Sequence, residues 1–158
     1  MEPDDVAVVF FDMAGLPGWG SEAGPTDPDT STILERYLGP VGADIRLVQG
    51  YTALVVSTNV RGALLATMDL LREAMRSSGS ATAGAHVTRI APDDVGPMAR
   101  CARTAATLSE LADADRLLVT GDVVIALEPV DGSVLSFDAG PRADIDGDRL
   151  ATYSVRRR

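Results

Sequence analysis

The chain has 158 residues, of which 46% are hydrophobic and 23% charged, a balance that fits one domain (1–158) with a sizeable core. The net charge of -9 excludes an extended nucleic-acid surface, which needs clustered cations to meet phosphates. Every residue in the Lys+Arg count of 14 is an arginine, so Schiff-base chemistry and a lysine general base are excluded as well. Cys101 stands alone, which excludes an intrachain disulfide and makes a reducing, cytoplasmic setting the expectation. The N-terminus has no basic segment leading into an apolar stretch, so no signal peptide is read there. No apolar run approaches the roughly 20 residues that span a bilayer, and no membrane contact is expected. Arg156-Arg157-Arg158 reads as a solvated tail, with a weak electrostatic contact as the alternative.

In chain order, Val6 to Phe11 is too short for a typical helix and is rich in β-branched and aromatic residues, so it predicts a central strand. Gly15 to Asp29, crowded with Gly, Pro, Ser and Asp, predicts a loop. A short helix is expected from about Thr30 to Leu38, ended by Gly39-Pro40. Asp44 to Gln49 and Thr52 to Ser57 predict two strands of an antiparallel hairpin joined at Gly50-Tyr51. Asn59 is a plausible N-cap for a second helix, in which Leu64, Met68, Leu71 and Met75 recur at helical spacing. Ser77-Ser78-Gly79 stops that helix, Ala83 to Ile90 is a strand, and Ala91 to Asp94 is a turn. Met98, Cys101, Ala105, Leu108 and Ala112 mark one face of a third helix. Leu117 to Thr120 is a short strand, Asp122 to Leu127 a short helix, and Val134 to Phe137 and Ala151 to Val155 are closing strands. Asp131-Gly132 and Asp146-Gly147 are turn signals.

Three segments carry a pattern. The strand Val6 to Phe11 ends on Asp12 and is followed by Gly15, the hairpin reads Arg46-Leu47-Val48-Gln49-Gly50-Tyr51, and a later strand opens Gly84-Ala85-His86-Val87. This order resembles the class III nucleotidyl cyclase catalytic domain, with its F-x-D-I-x-G strand end, K-x-x-G-D hairpin and G-I-H-x-G strand. The resemblance covers nearly the whole chain. It implies an α+β fold with a ferredoxin-like (βαββαβ) core, extra C-terminal strands and a mostly antiparallel sheet. It also implies pairing of two chains, as a homodimer or with a cyclase-like partner, around sites at their interface.

The resemblance implies a nucleotide site of Asp12, Gly15, Leu47, Gly50 and Tyr51, but several of its positions hold residues that cannot do the chemistry. Cyclisation needs two divalent ions held by two carboxylates, and Asp12 matches the first of these metal ligands. Tyr51 stands at the second, and a neutral phenol is a poor ligand for a hard cation such as Mg2+. Leu47 stands where the base-reading lysine is expected, and Arg46 next to it points to the other face of the strand. Gly15 is expected to let the chain turn sharply after Asp12 so that the following amides cradle phosphates. Counting back from Arg116 to Thr120 places Arg103 at the ribose-orienting asparagine of the family's N-x-A-A-R stretch. Thr107 then stands at its transition-state arginine, with Arg100 or Arg103 as alternative sources of charge. Thr88 replaces the last glycine of G-I-H-x-G.

Each position also has a plain structural reading. Asp12 can be a turn residue, His86 a satisfied core or interface histidine, Cys101 a packed and inert thiol, and Asp144-Ile145-Asp146-Gly147-Asp148 a solvated turn. Trp19 and Tyr51 could stack a ligand, or Trp19 could shield a loop. The reading favoured by the sequence is a catalytically impaired cyclase-like domain, a nucleotide-binding or dimerising regulatory module, with Mg or Mn present only alongside nucleotide. The alternatives are a weak nucleotidyl cyclase, alone or paired with an active subunit, and an interaction domain with no small ligand.

Overall fold

Strand β1 (Val6–Gly15) organises the molecule because its side chains alternate between two apolar layers. Val9, Phe11 and Met13 enter one buried cluster, while Val6 and Val8 enter another. In this computed structural model the described residues are 5–15, 28–49, 52–76, 80–89, 95–113, 116–131 and 134–158. The first layer is covered by α1 (Pro28–Leu38) and α2 (Val60–Arg76), which contribute Leu34, Leu38, Leu64 and Leu70. The second is covered by α3 (Val95–Leu111), through Met98, Cys101 and Ala105.

The expected hairpin forms as β2 (Asp44–Gln49) and β3 (Thr52–Ser57), antiparallel, with a register shift between Ile45 and Leu47. Strand β4 (Ser80–Thr88) pairs antiparallel with the other edge of β1. These elements give the order βαββαβ, with strands side by side as β2-β3-β1-β4, the expected ferredoxin-like core. Helix α3 then crosses to β5 (Leu117–Thr120), which runs parallel to β4. Helix α4 (Gly121–Asp131) follows at once. Strands β6 (Leu135–Ala139) and β9 (Thr152–Arg157) extend the sheet to seven strands in the order β2-β3-β1-β4-β5-β9-β6. Between them, β7 (Ala143–Ile145) and β8 (Asp148–Leu150) form a separate hairpin.

Several expectations shift at their edges. Helix α1 begins at Pro28, and a 3-10 turn at Gly39–Val41 continues past its predicted stop. The strand expected from Ala83 begins at Ser80, where its register with Gly15 extends the pairing. Met75, counted on the apolar stripe of α2, is 58% exposed, at the rim of a hollow it shares with Leu71, Leu117 and Val155. Helix α4 runs through Pro129 to Asp131 instead of ending at Leu127. The ring breaks a bond to the carbonyl of Ile125, a residue exposed enough for water to satisfy it. The Asp146-Gly147 turn forms with left-handed φ values of 51° and 86°, closing the β7–β8 hairpin that the sequence reading left as a turn alone. Gly132 lies outside the described residues. Asn59 caps α2 as expected: its Oδ1 accepts from the amide of Gly62 at 3.0 Å.

Gly84 fixes where α3 lies on the sheet. A β-carbon at this position would meet the carbonyl oxygen of Ala105, the amide nitrogen of Ser109 at 2.5 Å and Cβ of Leu108 at 2.8 Å. Two of these three are backbone atoms, so relief requires moving the helix. Gly84→Ala is therefore expected to destabilise the fold by about 1–3 kcal/mol. Gly96→Ala, in the first turn of α3 with nothing within 4 Å, serves as the control and is expected to leave stability unchanged or raise it by up to about 1 kcal/mol. Chemical denaturation of both variants checks this, and equal midpoints would show that the α3 contact carries no constraint.

Candidate functional site

Asp12 lies near the end of β1, level with Thr52 on β3 and Thr82 on β4. Thr82 Oγ1 lies 3.1 Å from the Ser109 hydroxyl of α3, so a row of hydroxyls runs beside the carboxylate on the face that α3 covers. The strand does not turn after Asp12. It continues to Gly15, which pairs with Ser80 after a register shift, so β1 stays paired between Asp12 and Gly15, and the segment that follows Gly15 lies outside the described residues. Ser80, earlier in the chain than the predicted strand start, supplies the pairing that keeps this segment extended. Leu47 pairs with Leu54, which itself pairs with Phe10, placing Leu47 two strands from β1. Gly50, Tyr51 and Trp19 lie outside the described residues.

The sole histidine sits at the other end of β4. His86 pairs in register with Val8, four residues before Asp12 on β1, which puts the two levels about 13 Å apart along the strand. Its Nδ1 lies 2.9 Å from Thr120 Oγ1, at the end of the parallel neighbour β5, and 3.9 Å from Asp122 Oδ2 in the first turn of α4. Burial lowers the imidazole pKa from its ordinary value of 6.5, and the Asp122 charge opposes that shift in part. His86, Thr88 and Asp122 line two adjoining hollows. One, of about 520 Å³, also takes in Asp5, Arg89 and the exposed Ile125. The other, of about 330 Å³, runs under α3 past Arg100, Cys101 and Thr104 to Asp146 and Asp148. The plain reading of His86 as a satisfied histidine therefore holds, with access to solvent added. The buried Cys101 is packed, as expected.

Helix α3 runs antiparallel to β4, with Ser109 level with Thr82 and Cys101 close to Thr88. Arg103 is exposed, and its guanidinium meets Asp146 Oδ2 at 3.4 Å. Thr107, half-buried, lies one helical turn further on. The structure thus groups Asp12 with Thr52 and Thr82, and places Arg103 and Arg100 toward the His86 end. The partners Thr120, Asp122 and Asp146 were not visible as a group in the sequence, because three separate elements bring them there.

Neither a protein-family model nor a curated protein matches the sequence. Solved structures do. An adenylate/guanylate cyclase/hydrolase from Silicibacter pomeroyi superposes with a TM-score of 0.72 at 14% identity, covering 98% of each chain. The guanylate cyclase domain from Catenaria anguillulae, solved in complex with GTP, gives 0.69 at 14% identity, over 100% of this chain and 99% of that one. An adenylyl cyclase from P. aeruginosa gives 0.64 at 14% identity, over 98% and 95%. The chain has the fold of a nucleotidyl cyclase catalytic domain.

A cyclase-type site calls for a pair of divalent ions between carboxylates, and the described residues do not fit that set. Both register neighbours of Asp12 are threonines, whose neutral hydroxyls supply no second charge. Among the described residues, no group of three or more His, Cys, Asp or Glu side chains is arranged to hold a metal ion. No helix among them is long and apolar enough to cross a membrane.

The His86 environment makes stability depend on pH. The folded state holds fewer protons on this imidazole than the unfolded chain, whose value is near 6.5. Its contribution is present above pH 6.5 and is lost as pH falls through 6.5 toward the lowered folded value. Thermal melts from pH 7.5 to 5.5 are expected to show falling stability in the wild type and a flatter profile in His86→Gln. Superimposable slopes would show that His86 does not govern this range.

Proposed function

We propose that the chain is a catalytically impaired cyclase-fold module that binds a nucleotide or pairs with a second cyclase-fold chain in a regulatory role. The observation that carries this reading is that both register neighbours of Asp12, on the strands where a two-carboxylate site belongs, are threonines, Thr52 and Thr82. Leu47 and Tyr51 at the base-reading and second-carboxylate slots support it. So does Arg103, held in an ion pair with Asp146, while Thr107 offers no charge at the transition-state slot. The loss of an arginine that neutralises transferring phosphate costs about three to five orders of magnitude in phosphoryl-transfer rate. The loss of a metal-ligand carboxylate comes on top of that. The structures solved with GTP and with an ATP analogue belong to proteins of the same fold, which makes nucleoside triphosphates the first ligands to try.

The test is a melting panel with ATP, GTP, CTP, UTP and their cyclic forms, with and without Mn2+, alongside a turnover assay. A ligand at about 100 times its Kd adds roughly 2.7 kcal/mol of stability, which a melt resolves. The wild type is expected to show no turnover above background, together with a nucleotide-dependent shift or a dimer in sedimentation. Leu47→Lys with Tyr51→Asp is expected to restore metal-dependent nucleotide binding. Turnover by the wild type, alone or mixed with an active cyclase, would establish the weak-cyclase alternative. A chain that neither shifts nor dimerises would leave the interaction-domain reading in place of this one.

A further inference from the structure

On the sheet face opposite α3, the C-terminal half of α2 and the paired ends of β5 and β9 enclose a hollow of about 250 Å³. Its apolar side is made by the buried Leu71, Leu117 and Val155, with the half-buried Met68 and the exposed Met75 at the rim. Four arginines also line it, Arg72, Arg116, Arg156 and Arg157, of which Arg116 lies where a second hollow past Asp113 and Leu118 begins. In a chain of net charge -9, this is a local reversal of sign.

Two of the four are already committed. Arg157 reaches across to α2, meeting Asp69 Oδ1 at 2.6 Å and the Leu65 carbonyl at 3.3 Å, and so ties one wall of the hollow. Arg156 pairs with Asp138 at 2.7 Å. The side chains of Arg72 and Arg116 have no ion-pair or hydrogen-bond partner among the described residues. Two uncommitted guanidiniums beside a preformed apolar surface combine the two halves of recognition for an amphiphilic anion. The planar fork matches carboxylate or phosphate oxygens, and the apolar surface takes the ligand body. Neither half suffices alone, because exposed charges are screened by salt and the hollow is too small to bind by apolar contact only.

We propose that this hollow binds a small organic anion, a carboxylate or phosphate monoester with a short apolar body. The body lies against Leu71, Leu117 and Val155, and the charged head lies between Arg72 and Arg116. The small volume excludes a bulky body. The hollow lies on the other face of the sheet from Asp12, so occupancy is independent of the nucleotide reading above.

Titration calorimetry of the full chain with octanoate and octyl phosphate, below their aggregation concentrations, tests the proposal, with octanol and inorganic phosphate as half-ligands. Saturable binding of octanoate or octyl phosphate is expected, with each half-ligand at least about 10-fold weaker. Arg72→Glu with Arg116→Glu is expected to weaken binding by about 10-fold or more. Arg36→Glu with Arg149→Glu makes the same change in net charge away from the hollow and is expected to alter binding less than about 3-fold. Amide shifts of the wild type on titration are expected to centre on residues 71–75, 116–117 and 155–157, a readout that does not depend on any variant folding. Asp12→Asn is expected to leave octanoate binding unchanged. The proposal is overturned by the absence of saturable binding, by octanol or inorganic phosphate binding as tightly as the amphiphile, by amide shifts centred elsewhere, or by equal losses in the two double variants.

Discussion

Helix α3 lies so close to strand β4 that its own backbone occupies the space a side chain at position 84 would fill. That contact sets the level of every residue α3 carries. With the Ala105–Ser109 segment pressed on Gly84, Ser109 comes level with Thr82, while Cys101 and Arg100 come near Thr88. The same seating gives the chain room to cross from β4 to its parallel neighbour β5. There Thr120 ends the strand beside His86, and α4 begins with Asp122 in its first turn. The hydroxyl row beside Asp12 and the histidine hollows both follow from one close approach of backbone to backbone.

The sequence revealed most where a single strand or helix settled the matter. The βαββαβ order, the β2–β3 hairpin, the Asn59 cap and the buried stripe of α3 were legible because period, cap and turn chemistry are local. The register shift that carries β1 past Asp12 to Gly15 was not legible, since it depends on Ser80 from another strand. Nor was the β7–β8 hairpin, whose strands of three residues each are too short to show alternation. The partners of His86 come from β5 and α4, separated from it by 34 and 36 residues of chain, and no spacing rule links them. Met75 matched the helical period yet is exposed, because period reports a face and not how closely a neighbouring element covers it.

Arginine usage follows a similar division. Arg89 with Asp5, Arg103 with Asp146, Arg156 with Asp138 and Arg157 with Asp69 each join segments distant in sequence. Each pair is exposed enough that its contribution to stability is small. Their effect is positional, since they hold guanidiniums at fixed places on an acidic surface. Arg103 is one of these, its guanidinium meeting Asp146 at the turn of the β7–β8 hairpin.

The two ends of β4 bear on how such a fold can work. Asp12 belongs to the Thr82 level, and Arg103 lies six residues, or about 9 Å of helix, from Ser109 toward the His86 end. Because α3 runs antiparallel to β4, this step carries Arg103 in the same direction as the step from Thr82 to His86, so its place is between the Asp12 level and the His86 end. Within one chain the two groups are therefore set apart along β4, the carboxylate level with threonines and the guanidinium already answered by Asp146.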